Sequence, residues 1–164
     1  MTLYAKWTLS RYTVSYDGNG ATSGSVPAAA DYDYDANVNV VGNTGSLVKT
    51  GYVWNGWNTA PNGSGTSYAA GDSFRLGEGD VTLYAQWKPG SFHVRYDGNG
   101  ATSGTPPADV SYDYQTNVTV ADNAGNLTRT GYTFAGWNTK ADGTGTTYSA
   151  GNSIAMGAAD VTLF

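Results

Sequence analysis

Displaced by 80 positions, the chain lies on itself without a gap. Tyr16-Asp17-Gly18-Asn19-Gly20-Ala21-Thr22-Ser23-Gly24 recurs as Tyr96 through Gly104. Gly56-Trp57-Asn58-Thr59 recurs as Gly136-Trp137-Asn138-Thr139, and Asp80-Val81-Thr82-Leu83 as Asp160-Val161-Thr162-Leu163. About 45 of the 84 overlapping positions are identical. A period of this size means two tandem units rather than one domain. The register also fixes the ends. Thr2-Leu3-Tyr4-Ala5-Lys6-Trp7 matches Thr82-Leu83-Tyr84-Ala85-Gln86-Trp87. The expected division is therefore a terminal strand of a preceding repeat over 1–7, repeat 1 over 8–87, and repeat 2 over 88–164 with its last strand shortened. This register implies a chain taken from a longer array. Thr2–Trp7 reads as strand rather than as a secretion leader.

Units this small bury only about 60% of the surface their unfolded chains expose. Leu, Ile, Val and Phe make up about 15% of the chain, a fraction that signals disorder only when charge is high. Here charged residues are 13%, and 13 Tyr and five Trp are available. Each large ring buries about 150–250 Å², so small cores made of aromatic side chains are expected. The 23 Gly, with abundant Asn, Asp, Ser and Thr, call for many tight turns and little helix. The expected fold class is mainly β. A net charge of −5 with scattered basic residues argues against nucleic acid as a partner. With no Cys, disulfides, thiol catalysis and zinc-thiolate sites drop out together. No apolar run reaches the ~20 residues of a membrane span.

Within a unit, Tyr12, Val14 and Tyr16 alternate on one strand face, as do Phe92, Val94 and Tyr96. Asp17-Gly18-Asn19-Gly20 ends that strand in a turn. Residues 21–30 read as loop. Tyr32-Asp33-Tyr34 leads into a strand at 37–40, matched by Tyr112-Asp113-Tyr114 and 118–120. Residues 42–50 read as loop with a short helical turn near Leu47. Gly51–Trp57 reads as strand with Tyr52 and Trp54 on one face, and Gly56 inside it marks a bulge or a close backbone approach. A turn at 62–65 and a short strand at 73–75 follow. The unit closes on Val81, Leu83, Ala85 and Trp87, all on one face. Lys88-Pro89-Gly90 reads as a linker.

Setting the copies side by side weakens most candidate sites. His93, the one His, faces Thr13 in the other copy, and Glu78, the one Glu, faces Ala158. Nucleophilic triads need a base with an orienting partner, and no shared base exists. No catalytic residue and no cofactor is expected. Asp31, Asp33 and Asp35 offer oxygen ligands of the kind calcium takes, but the second copy reads Ser111, Asp113 and Gln115. A solvated strand face is the preferred reading, and no metal site is expected. No Lys occurs at the same position in both copies, which disfavours a shared isopeptide link. Tyr16, Trp57, Tyr96 and Trp137 are read as aromatic core. Tyr32, Tyr34, Tyr112 and Tyr114 alternate with polar residues and can present either face, so they are the candidates for stacking on sugar rings.

The combination Tyr-x-Val-x-Tyr-Asp-Gly-Asn-Gly, Gly-Tyr-x-(Trp/Phe)-x-Gly-Trp-Asn-Thr and Asp-Val-Thr-Leu-Tyr-Ala-x-Trp resembles the Listeria–Bacteroides repeat, also called the internalin B-repeat. The resemblance covers essentially the whole chain. It implies a β-grasp-like module, arrayed in tandem on secreted or wall-anchored bacterial proteins as spacer, stalk or adhesive segment, with no catalytic residues. The segment at about 28–50 departs from the shorter versions of the repeat. The functional expectation is a non-enzymatic structural repeat of an extracellular or cell-surface protein, adhesive or filament-forming. Its partners would be neighbouring repeats, copies of itself, or an unidentified host or glycan ligand, and the alternative function is a carbohydrate-binding module using exposed Tyr and Trp. Leu3, Ala5 and Trp7 form the apolar face of a strand that either adds to another chain's last unit or packs on the first repeat and caps it.

Overall fold

The computed structural model describes residues 1–164, which divide into Met1–Lys88 and Pro89–Phe164. The chain contains strands and turns and no helix.

In unit 1 the strands are β1 (Arg11–Asp17), β2 (Ala30–Asp33), β3 (Asn37–Asn39), β4 (Tyr52–Asn58), β5 (Ser67–Tyr68), β6 (Ser73–Arg75) and β7 (Val81–Pro89). Five of them form a sheet in the order β2-β1-β7-β4-β5. The first and last strands of the repeat lie parallel, Val14 opposite Val81 and Asp17 opposite Tyr84. Parallel neighbours need a long crossover, and residues 18–80 provide it. β3 and β6 pair separately, Val38 opposite Phe74. Both sheets contribute to one core, in which Val14, Val38, Leu76, Leu83 and Trp57 are buried together.

Unit 2 repeats the plan with β8 (Ser91–Tyr96), β9 (Val110–Asp113), β10 (Asn117–Thr119), β11 (Trp137–Asn138), β12 (Thr147–Tyr148), β13 (Ser153–Ala155) and β14 (Val161–Leu163). β14 again lies parallel to the first strand, Val161 opposite Val94. Val94, Val118, Leu127, Met156, Leu163 and Trp137 form its core. The expected aromatic cores are thus not found: the fully buried side chains are mostly aliphatic with one Trp per unit, and tyrosines such as Tyr12, Tyr16, Tyr68, Tyr96 and Tyr148 pack around them half-buried.

Several local expectations change. The strand expected over 2–7 is not formed: residues 1–10 lie outside every strand and are exposed throughout. A strand gains its backbone hydrogen bonds from a neighbour, and residues 2–7 have none beside them; the first such bond runs from the Tyr34 N–H to the Ser10 carbonyl at 2.8 Å. The strand expected from Tyr32 through 40 is broken between β2 and β3 at a turn where Asp35 takes φ 61°. The helical turn expected near Leu47 is instead an irregular turn closed by Asn43, whose side chain accepts from Leu47 N–H at 2.6 Å and donates to its carbonyl at 2.9 Å. Lys88-Pro89 belongs to β7 rather than to a linker, leaving Gly90 before β8. Finally, Tyr132–Gly136 is not a strand, although its counterpart in unit 1 belongs to β4.

Candidate interaction surfaces

The residues common to both copies build two devices. The first is the Trp anchor. Tyr52 and Trp54 are separated from Trp57 by odd spacing, which on a regular strand would place Trp57 on the opposite face. Gly56 has φ 94°, and a Cβ there would lie 2.8 Å from the Tyr68 carbonyl oxygen. This bulge turns Trp57 into the core, where it meets Trp54 edge-on at 5.8 Å and Tyr16 at 4.8 Å. Trp57 Nε1 donates to the Val41 carbonyl at 2.8 Å, and the Val41 N–H donates to the Tyr16 hydroxyl at 3.0 Å. In unit 2 Trp137, Ala121 and Tyr96 form the same circuit at 2.9 and 2.9 Å. Tyr16 and Tyr96 are half-buried because their hydroxyls reach outward to these loop amides.

The second device is a buried asparagine. Asn58 is fully buried. Its Oδ1 accepts from the N–H of Ala60 at 2.8 Å and of Gly65 at 3.0 Å. Its Nδ2 donates to Gly63 O, Gly65 O and Ser67 Oγ. Asn138 does the same with Lys140, Gly143, Gly145 and Thr147. The Gly-Trp-Asn-Thr motif is therefore one anchor for the core and one for the turn that follows.

The candidate stacking tyrosines separate. Tyr32 lies opposite Tyr12, and Tyr112 opposite Phe92; both are half-buried against the cores. Tyr34 is 44% exposed, and Tyr114 is half-buried. Leu3 and Trp7 are 80% and 87% exposed, and Ala5 is exposed as well. The aspartates do not converge: Asp31 accepts from the Thr13 hydroxyl, Asp33 pairs with Arg11 and Asp35 with Arg75. No group of three or more His, Asp or Glu side chains is placed to hold a metal ion.

Two arrangements escape a copy-by-copy reading of the sequence. Lys49 and Arg129 differ chemically but do one job, lying 5.0 and 4.6 Å from the rings of Tyr52 and Tyr132. On unit 2, Arg95 bridges Asp109 at 2.9 Å and Asp160 at 2.7 Å, while His93 Nδ1 is 2.6 Å from Asp109. The hydrogen bond from His93, with Arg95 beside it, holds the Asp109 carboxyl below its usual range. The His93 backbone N–H, then Arg95, does so for Asp160.

The two units differ most beside the Trp anchor. In unit 1, Ala85 is buried and Trp87 packs on the core. Trp87 Nε1 donates to the Gly18 carbonyl at 3.1 Å, and Asn19 Nδ2 donates to the Ala85 carbonyl at 2.8 Å. In unit 2 the corresponding space is an open groove lined by Gly98, Asn99, Leu127, Phe134, Trp137 and Phe164. Asn99 keeps its bond to the Ala141 carbonyl, as Asn19 does to Pro61, but the bond corresponding to Asn19–Ala85 has no counterpart. Tyr132 is 70% exposed there.

These features define a class: small β modules repeated in tandem, each with its own core. The family model of the Listeria-Bacteroides repeat domain matches residues 12–86 and again 92–164. The chain belongs to that family. It is 38% identical over 157 residues to a protein of Evansella cellulosilytica named "Putative Gly-rich membrane protein", covering 93% of this chain and 18% of that one. It is 35% identical over 164 residues to a "Putative membrane protein" of the same organism, covering all of this chain and 23% of that one. The chain thus spans about a fifth of the length of these relatives. No solved structure matches it. No helix is long and apolar enough to cross a membrane.

Proposed function

We propose that the chain is a non-catalytic structural segment of a bacterial cell-surface protein, serving as spacer, adhesive stalk or filament building block. The observation that carries this reading is that the residues shared by the two units are spent on the fold itself. Trp57 and Trp137 close the cores, Asn58 and Asn138 tie the following turns, and the Gly-containing turns shape the connections. The charged groups that differ between copies are on the surface, where a spacer tolerates change. The relatives, named "Putative Gly-rich membrane protein" and "Putative membrane protein", are several times longer than this chain, which suits a connecting role. The packing of Tyr32 and Tyr112 against the cores favours this reading over a glycan platform.

The test is surface display. An antibody to residues 8–87, applied to intact cells making the full-length protein, labels them without permeabilisation. Labelling that appears only after lysis would overturn the surface assignment. Inserting a second copy of residues 8–87 moves a terminal epitope further from the cell, and an unchanged distance would overturn the spacer role.

A further inference from the structure

The first and last strands of a repeat lie side by side and run the same way. In unit 1, Val14-Ser15-Tyr16-Asp17 of β1 face Val81-Thr82-Leu83-Tyr84 of β7 in parallel. Side chains lengthen this seam at both ends. Before it, the Thr13 N–H donates to Asp80 Oδ1 at 2.8 Å. After it, Asn19 Nδ2 donates to the Ala85 carbonyl at 2.8 Å, and Trp87 Nε1 to the Gly18 carbonyl at 3.1 Å. On one face the Ser15 and Thr82 hydroxyls are hydrogen-bonded at 3.1 Å. On the other face Val14, Leu83 and Ala85 are buried, so water does not reach the seam from the core. Unit 2 sets β8 and β14 the same way. There the His93 N–H donates to Asp160, and Arg95, the counterpart of Ser15, pairs with the same Asp160 at 2.7 Å.

We propose that this seam is a shear clamp, and that the repeat is a link that carries tension along the chain without opening. Tension enters unit 1 at the start of β1. It leaves at the end of β7, because only Gly90 separates β7 from the first strand of unit 2. In a parallel pair those two points lie at opposite ends of the seam. The pull therefore drives β1 and β7 past each other along their length. Bonds between parallel strands are evenly spaced along the pair, so they share such a load. The side-chain bonds from Thr13–Asp80 to Asn19–Ala85 share it too. Were the two strands antiparallel, the same pull would act at one end and part the bonds in succession. Single hydrogen bonds contribute little each, and a row of them resists only when loaded together. β3 and β6 pair outside this sheet and carry none of the load. The inference rests on the spacer reading and adds that the spacer is built to be pulled.

The chain has no Cys, so paired cysteine substitutions in the full 164-residue chain define the attachment points for single-molecule pulling at constant force. Ser10→Cys with Lys88→Cys pulls along the seam. Ser10→Cys with Glu78→Cys pulls the two strands apart from one end. All of these side chains are exposed. Forced unfolding follows the unfolding rate, and at one force unit 1 survives at least about tenfold longer when pulled along the seam. Asp80→Ala shortens that lifetime by about three- to tenfold, as the loss of one hydrogen bond requires. Phe74→Leu, in β6, lowers stability to urea yet leaves the lifetime along the seam within about twofold, because its contacts are intact when the seam gives way. Equal lifetimes in the two pulling geometries overturn the proposal. So does an Asp80→Ala lifetime equal to that of the parent. A Phe74→Leu effect along the seam as large as that of Asp80→Ala also overturns it, since resistance would then reflect overall stability. None of these failures touches the spacer role, which surface display decides separately.

Discussion

Replacing Asn58 by Ala tests the claim that a buried amide holds the turn after the Trp anchor. The substitution removes two acceptor contacts and the donors to Gly63, Gly65 and Ser67. The Ala60 N–H is half-buried and loses its partner, at about 1–3 kcal/mol for an unmade bond. Gly65 is an exposed residue, so its N–H is the easier of the two to rehydrate. The remaining hydrogen bonds contribute about 0.5–1.5 kcal/mol each, and their acceptors are partly solvated. The sum is about 3 kcal/mol, roughly a hundredfold in an opening equilibrium. Amide exchange read by mass spectrometry resolves this locally. Protection over residues 58–68 falls about a hundredfold, while 138–148, with its own Asn138, serves as the reference within the same molecule. Asn138→Ala moves the effect to 138–148. A loss below about threefold at 58–68, or an equal loss in both segments, would refute the reasoning.

Three further outcomes follow from the same geometry. Gly56→Ala places a Cβ 2.8 Å from the Tyr68 carbonyl at φ 94°, so urea unfolding of unit 1 shifts by about 2 kcal/mol or more; a shift under 0.5 kcal/mol counts against a required bulge. Trp54 Nε1 is buried without a hydrogen-bond partner, and unit 2 carries Phe134 there with the same edge-on contact to its Trp at 5.2 Å. Trp54→Phe therefore removes an unsatisfied donor and leaves stability within about 1 kcal/mol, and a loss above 2 kcal/mol sinks that account. Unit 2 is the more acid-sensitive. Asp109, Asp160 and Asp142 all titrate below their unfolded value, the last because the Thr144 N–H and hydroxyl bond it. A depressed folded-state pKa gives stability that is present above the unfolded value of about 3.9 and lost as pH falls through the folded value. In two-dimensional NMR the Val94 and Val161 amides lose their native positions at higher pH than those of Val14 and Val81. Asp109→Asn narrows the difference, and identical acid midpoints in the parent would refute it.

The repeat, the alternating strands and the Gly-containing turns were legible from the sequence because they rest on short-range periodicity and on residues that tolerate positive φ. Asn19 and Asn99, both at φ 46°, sit in the Asp-Gly-Asn-Gly turn expected of them. Side-chain to backbone chemistry was less legible. The motif marked Asn58 as shared, but nothing in its spacing said that its partners would be turn amides rather than solvent. The network of His93, Arg95, Asp109 and Asp160 was hidden for another reason. Its members are absent together from unit 1, which has Thr13, Ser15 and Ala29 and keeps only Asp80, and matching the copies discards what only one possesses. The signal was still available, since a cation at position 95 appears together with a new carboxylate at 109.

The unravelled segment 132–136 shows where sequence pattern alone fails. Gly51–Asn58 and Gly131–Asn138 have the same Gly before Trp and the same aromatic alternation, yet one is strand over seven residues and the other over two. The difference lies in the neighbour. Strand propensity here means fitting a half-buried, paired surface. Tyr52–Asn58 has β7 beside it, while Tyr132–Gly136 faces the open groove. The state of that segment is thus a direct reading of whether the groove is filled. Because exposed Tyr132 and 41%-exposed Phe134 become covered only when a strand lies there, Phe134 also reports occupancy. Phe134→Trp, which restores the residue of unit 1, adds an indole whose emission shifts to shorter wavelength when Ala-Gln-Phe is added after Phe164, in the register of Ala85-Gln86-Trp87, so that a strand lies beside 132–136. An emission that stays at the wavelength of an exposed indole in that extended chain would refute the account that 132–136 lacks only a neighbour.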